Sequence, residues 1–187
     1  MKYARWVVPP RAEARPGFDA FPPWFAQLLH NRGLHQAEQA AAFLRGDLVT
    51  QDDPFLLSDM DRAVARLRRA LEKGELVAVY GDFDADGVAS TVLLSEGIGA
   101  LGGHVVPYIP HRLEEGYDLN RAALAQMSRQ GVSLVITADC GISARDQVAY
   151  GRGLGLDIII TDHHAVTGPL PGAGAVVNPR RADSAYP

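Results

Sequence analysis

Short apolar runs alternate with longer amphipathic stretches through the last two thirds of the chain. Leu76–Tyr80, His104–Ile109, Ser133–Thr137 and Leu156–Thr161 are rich in β-branched residues and bounded by Gly or polar residues. That pattern predicts buried strands. A shorter run, Ala173–Val177, ends at Asn178-Pro179. Between the runs lie stretches of helical length, Val88–Leu101, Leu119–Arg129 and Ser143–Arg152, and one more, Met60–Lys73, precedes the first strand. In that stretch Met60, Val64, Leu67 and Leu71 have helical spacing, Ser58 or Asp59 is placed to cap it, and Gly74 to end it. Arg62, Arg66, Arg68 and Arg69 read as a solvated face. Strands alternating with helices predict an α/β fold, a mostly parallel sheet with helices on both faces. Right-handed crossovers then bring the strand ends to a common edge.

The first part of the chain lacks this alternation. Residues 1 to about 20 contain Pro9, Pro10 and Pro16 and read as an irregular arm. Phe21–Asn31 and Leu34–Leu44 predict two short helices split at Gly33, and TQDDPFLLSDM reads as a connector. The expected division is an N-terminal arm with short helices over residues 1–50 and an α/β domain over residues 51–187.

Composition narrows the classes. A hydrophobic fraction of 47% with 21% charged residues is that of a globular protein with one sizeable core. The net charge of −4 supplies no general basic field, so nucleic-acid contact would rest on local groups or on metal ions. Arg outnumbers Lys 16 to 2, which would suit phosphate grip but is better explained by codon usage in an Ala-, Gly- and Arg-rich proteome. The single cysteine, Cys140, excludes an internal disulfide and fits a reducing compartment. No secretory apolar segment and no run of membrane-spanning length appears, so a cytoplasmic protein without membrane contact is expected.

The chemistry centres on LVAVYGDFDADGVAST, residues 76–91. Asp82, Asp84 and Asp86 are two apart, and residues two apart on an extended chain share a side. Extension past Gly81 would therefore gather three carboxylates at a strand end. Like charges that close raise one another's pKa, and a divalent cation relieves the repulsion. Oxygen ligands suit Mg²⁺ or Mn²⁺. DFDADG also matches the opening of a calcium loop, but Leu93 stands where that loop needs Glu, and a strand precedes it. A solvated acidic turn is the plainer alternative. The other strand ends weigh against it, because parallel sheets bind ligands beyond their carboxyl ends. There the chain places Asp139 in ADCG, the triplet Asp162-His163-His164, and His111 and Arg112 in PHRLEEGYD. So many oxygen ligands point to two ions sharing a carboxylate, an arrangement suited to phosphoester hydrolysis. No GxGxxG follows the first strand and no GK[ST] loop is present. Carboxylate neighbours make Cys140 a poor nucleophile, and it reads as a small buried residue.

Five motifs in order, VAVYGDFDADGVAST, YIPHRLEEGYDLN, VITADCGIS, IIITDHHAV and AVVNPRRADSAYP, resemble the DHH phosphoesterase superfamily, in particular its bacterial single-strand exonucleases. The resemblance implies cleavage of single-stranded DNA from its 5′ end in repair and recombination, with two Mn²⁺ or Mg²⁺ ions. By matched position Asp82, Asp84, Asp86, Asp139 and His163 would be metal ligands, with Asp139 the bridge. Asp82, Asp84, Asp139, His163 and His164 would form the catalytic set. Asp162 would orient its neighbours, and His111, Arg112 and His164 would approach substrate phosphate. Asp118 stands where the family has glycine, which makes the shape of its loop an open point. The family also carries a further acidic ligand beyond the NP segment, a closing domain and a nucleic-acid-binding domain. None lies in these 187 residues, so the α/β domain is expected to be incomplete at its C-terminal end and the chain alone weakly active or inactive. Implied partners are single-stranded DNA, a single-strand-binding protein and a helicase, with the enzyme itself a monomer. Two other readings stay open: a DHH hydrolase of short oligonucleotides or cyclic dinucleotides, and a non-catalytic DHH-fold scaffold. Retention of every expected ligand in this span argues against the scaffold.

Overall fold

The computed structural model describes residues 7–11, 17–46 and 52–186. The chain divides into two compact units, Met1–Gln51 and Asp52–Pro187. In the first, helices α1 (Pro23–Asn31) and α2 (Ala37–Arg45) pack Phe18, Leu29 and Ala40 into a small core flanked by Phe21, Phe25 and Leu34. Both begin later than the apolar pattern implied. Pro23 opens α1, where a missing N–H costs nothing, and Gln36 before α2 is still extended. Residues 7–11 and 17–20 of the expected arm form neither helix nor strand. The rest of the arm, the start of the connector and Pro187 lie outside the described residues.

Five parallel strands form the second unit: β1 (Leu76–Gly81), β2 (His104–Tyr108), β3 (Val132–Ala138), β4 (Asp157–Thr161) and β5 (Ala175–Val177), in the order β2-β1-β3-β4-β5. Helix α3 (Met60–Lys73) precedes β1, and α4 (Ala85–Ala100), α5 (Arg121–Arg129) and α6 (Arg145–Gly153) connect the first four strands. The apolar runs are continuous because both faces are covered. In β1, Ala78 and Tyr80 join a core with Leu124, Met127 and Val148 from α5 and α6. Val77 and Val79 join a second core with Ala63, Ala70 and Ile98 from α3 and α4. The winding reverses between β1 and β3, which opens a crevice beyond their carboxyl ends.

Two expectations about α3 change. Neither Ser58 nor Asp59 caps it through its side chain. Asp59 has a left-handed φ of +63°, and its carboxylate instead accepts from Arg62, Arg181 and the Val176 N–H. Arg66 is not solvated. Its side chain is 12% exposed and bridges Glu75 at 2.6 Å and Asp157 at 2.5 Å, at the amino ends of β1 and β4. No helix among the described residues is long and apolar enough to cross a membrane.

Candidate metal centre

The carboxylates after β1 gather by a different route from the one the spacing suggested. Extension stops at Gly81 and α4 begins at Ala85. Asp84 is the residue before the helix, and its carboxylate accepts the Gly87 N–H at 3.1 Å, a local hydrogen bond that competes successfully with continued strand. Asp86 therefore falls in the first helical turn. Gly87 lies against the turn so closely that a β-carbon there would sit 2.6 Å from both Cβ and the carbonyl oxygen of Asp82. That contact lets α4 start directly over Asp82, which is buried and accepts the Phe83 N–H at 2.7 Å.

At the end of β3 a pair of threonines locks the backbone. The Thr137 hydroxyl donates to the Cys140 carbonyl and accepts the Thr161 N–H, and the Thr161 hydroxyl donates to the Thr137 carbonyl. Asp139 follows with φ +67°, which aims its side chain into the crevice. Its carboxylate is 5% exposed, and neither oxygen has a hydrogen-bond partner among the described residues. His163 Nε2 nevertheless lies 2.8 Å from one of them, without the angles of a hydrogen bond. Beyond β4, the Asp162 carboxylate is fully buried. It accepts the Ile142 N–H at 2.9 Å and the His164 N–H at 2.9 Å, and it lies 2.8 Å from His164 Nδ1. This bond raises the His164 pKa and fixes a proton on Nδ1.

Two sets of ligand atoms result, Asp82 with Asp84 and Asp139, and Asp139 with His163 and His164. Within each set the atoms lie within 4.8 Å of one another. Asp139 belongs to both. Asp86 is in neither set; its position in the helix leaves it 3.6 Å from His163 Nε2. Burial pushes the Asp82 and Asp139 carboxyls up, and neighbouring carboxylates add to the shift. Unpartnered buried oxygens that disfavour their own charge, set beside imidazole nitrogens, fit a dication with mixed oxygen and nitrogen ligands such as Mn²⁺.

The loop after β2 supplies the wall of the crevice. Glu115 organises it by accepting from the His111 N–H, the Tyr108 hydroxyl and the Asn120 amide. The Arg112 guanidinium sits 4.8 Å from the centre of the Phe83 ring, a cation–π contact beside the acidic cluster. His111 stays exposed, with its ring 4.0 Å from Glu114, and does not join the converging groups. Asp118 takes φ +74°, the conformation a glycine would adopt, and its carboxylate accepts the Leu119 N–H at 2.8 Å. Burial raises the Asp118 pKa. Cys140 is buried with Sγ 3.7 Å from the Tyr80 carbonyl, and burial, then nearby carboxylates, push its thiol far up. Sequence reasoning passed over Phe83, Tyr117 and Asn178. Tyr117 meets Phe83 and His164 edge to face. Asn178 was visible only as the polar residue that ends an apolar run at the same sheet edge.

Comparison with known proteins gives one family. The model of the DHH family, N-terminal domain, matches residues 76–185. The chain is 40% identical over 165 residues to the single-stranded-DNA-specific exonuclease RecJ of Bacillus subtilis, covering 88% of this chain and 21% of that protein. Against the Escherichia coli RecJ it is 36% identical over 167 residues, covering 89% and 28%. Among solved structures, an exonuclease RecJ bound to manganese superposes with a TM-score of 0.63 at 37% identity, covering 67% of this chain and 32% of that one. RecJ from Thermus thermophilus in complex with Mn²⁺ gives 0.64 at 30% identity, covering 84% and 21%. The chain thus spans between 21% and 28% of the length of the two curated relatives.

Proposed function

This chain belongs to the DHH family, and from that premise we propose that it is the catalytic lobe of a metal-dependent exonuclease that digests single-stranded DNA from the 5′ end. The observation that carries the reading is Asp139, a buried and unpartnered carboxylate shared by two sets of ligand atoms. Asp82, Asp84 and Asp139 would hold one Mn²⁺ or Mg²⁺, and Asp139 with His163 the second. Ions held by these residues would activate water and neutralise charge on the attacking and leaving oxygens. Asp86, 3.6 Å from His163 Nε2 and close to the Asp84 and Asp139 carboxylates, would add a further carboxylate to the same centre. The remaining groups act on the phosphate. Arg112 offers a planar fork for its oxygens. His164, held at Nδ1 by Asp162 and placed beside Asp139 and His163, would meet the scissile phosphate. Tyr117, packed edge to face on His164 and Phe83, supports one side of the imidazole. The same reading extends to a monomeric cytoplasmic enzyme that meets a single-strand-binding protein and a helicase.

The test, on the full-length protein, is digestion of 5′-labelled single-stranded DNA with Mn²⁺. Nucleotide release is expected and should disappear in Asp139→Ala; undiminished release by that variant removes the mechanism. Faster turnover of very short oligonucleotides or cyclic dinucleotides than of long strands would move the substrate to the short-oligonucleotide branch of the family.

A further inference from the structure

Resting on the metal reading above, we propose that Asn178 is a positioning residue for the His163–His164 pair. Its side chain is wholly buried at the carboxyl end of β5. Nδ2 donates to the His164 carbonyl at 3.0 Å, and Oδ1 accepts the Arg180 N–H at 2.7 Å. One residue earlier, the Val177 carbonyl accepts the Asp162 N–H at 3.1 Å. The short arc carrying both imidazoles is therefore pinned to β5 at each end, by a ladder-type bond before His163 and by the Asn178 amide after His164. Between these pins the Asp162 carboxylate holds the His164 N–H. A buried amide is costly unless both its ends are bonded, and here both are used, one of them on the ligand-bearing arc. Ligand groups need their place held to about 0.5 Å. Removing a hydrogen-bond partner behind the ligands typically lowers metal affinity about 10- to 100-fold.

Arg181, three residues on, provides the control. Its guanidinium binds Asp59 and Asp183 and the Val176 carbonyl, so it anchors the same segment without touching the histidine arc. Mn²⁺ binding is measured by titration calorimetry, and thermal midpoints are measured without metal, on wild type, Asn178→Ala, Asn178→Asp and Arg181→Ala. Both Asn178 variants are expected to bind Mn²⁺ about 10- to 100-fold more weakly. Asn178→Asp keeps the acceptor for the Arg180 N–H, so its loss isolates the bond to His164. Arg181→Ala is expected to lower the midpoint and leave Mn²⁺ affinity unchanged. Unchanged affinity in both Asn178 variants overturns the inference, as does an equal loss in Arg181→Ala, which would signify general loosening of β5. Wild-type protein that binds no Mn²⁺ overturns the metal reading itself, and this inference with it.

Discussion

The two ends of the parallel sheet treat charge in opposite ways. At the amino ends of β1 and β4, Arg66 reaches from α3 to Glu75 and Asp157, and Arg69 adds a longer contact at 3.8 Å. Each acid there has a cation. At the carboxyl ends of β1, β3 and β4, Asp82, Asp84, Asp86 and Asp139 crowd together, and the only described basic groups in salt-bridge range are imidazoles. The same sheet thus neutralises acids at one end with its own side chains and leaves them short of positive charge at the other. The first arrangement stabilises the fold; the second costs stability until an ion arrives.

Substitutions can break or sharpen that contrast. The largest effect is expected from Asp139→Ala, which removes the ligand common to both sets: calorimetry should find no Mn²⁺ binding, and retained binding would mean the carboxyl end is not a metal site. Gly87→Ala comes next. A β-carbon there meets Asp82 backbone, and urea denaturation should show a loss of about 3 kcal/mol. Arg66→Ala leaves Glu75 without its cation and Asp157 with only the longer Arg69 contact, and a loss of about 1 to 2 kcal/mol is expected, given the partial exposure of Asp157. Its Mn²⁺ affinity should not change; a change would show the two ends to be coupled.

The smallest effect is a pH dependence. Folding raises the Asp139 carboxyl above its ordinary value of 3.8, so the metal-free native state binds this proton more tightly than the unfolded chain. Its charge therefore costs stability above the raised value, and the cost is relieved as pH falls toward 3.8. Metal-free Asp139→Asn should be slightly more stable than wild type at neutral pH, with the advantage shrinking in acid. Added Mn²⁺ should invert the order. A variant that is less stable at every pH without metal would contradict the picture of an uncompensated charge.

Much of this was legible in the residues. Continuous apolar runs such as VAVY and DIIIT can be satisfied only with both faces covered, and that dictates helices on each side of the sheet. The strand ends likewise announced Asp139 and His163. The path from Asp82 to Asp86 was misjudged because strand spacing and helix capping compete over the same residues, and the Asp84–Gly87 bond decides for the helix. Asp86 falls in the first turn of α4 for that reason. Arg66 looked solvated because its partners, Glu75 and Asp157, are distant in sequence and meet it only once β1 and β4 are stacked. Asn178 showed only as the polar residue closing an apolar run, and Asn before Pro also marks an ordinary turn; its bond to His164 depends on where β5 docks.

The lone thiol has a practical consequence. Cys140 lies beneath the crevice with its sulfur shut away from solvent, so alkylating reagents can reach it only when the structure around it opens. Its labelling rate is a clock for that opening, read by mass spectrometry without any engineered probe. A cation that ties the strand tips together should slow the clock.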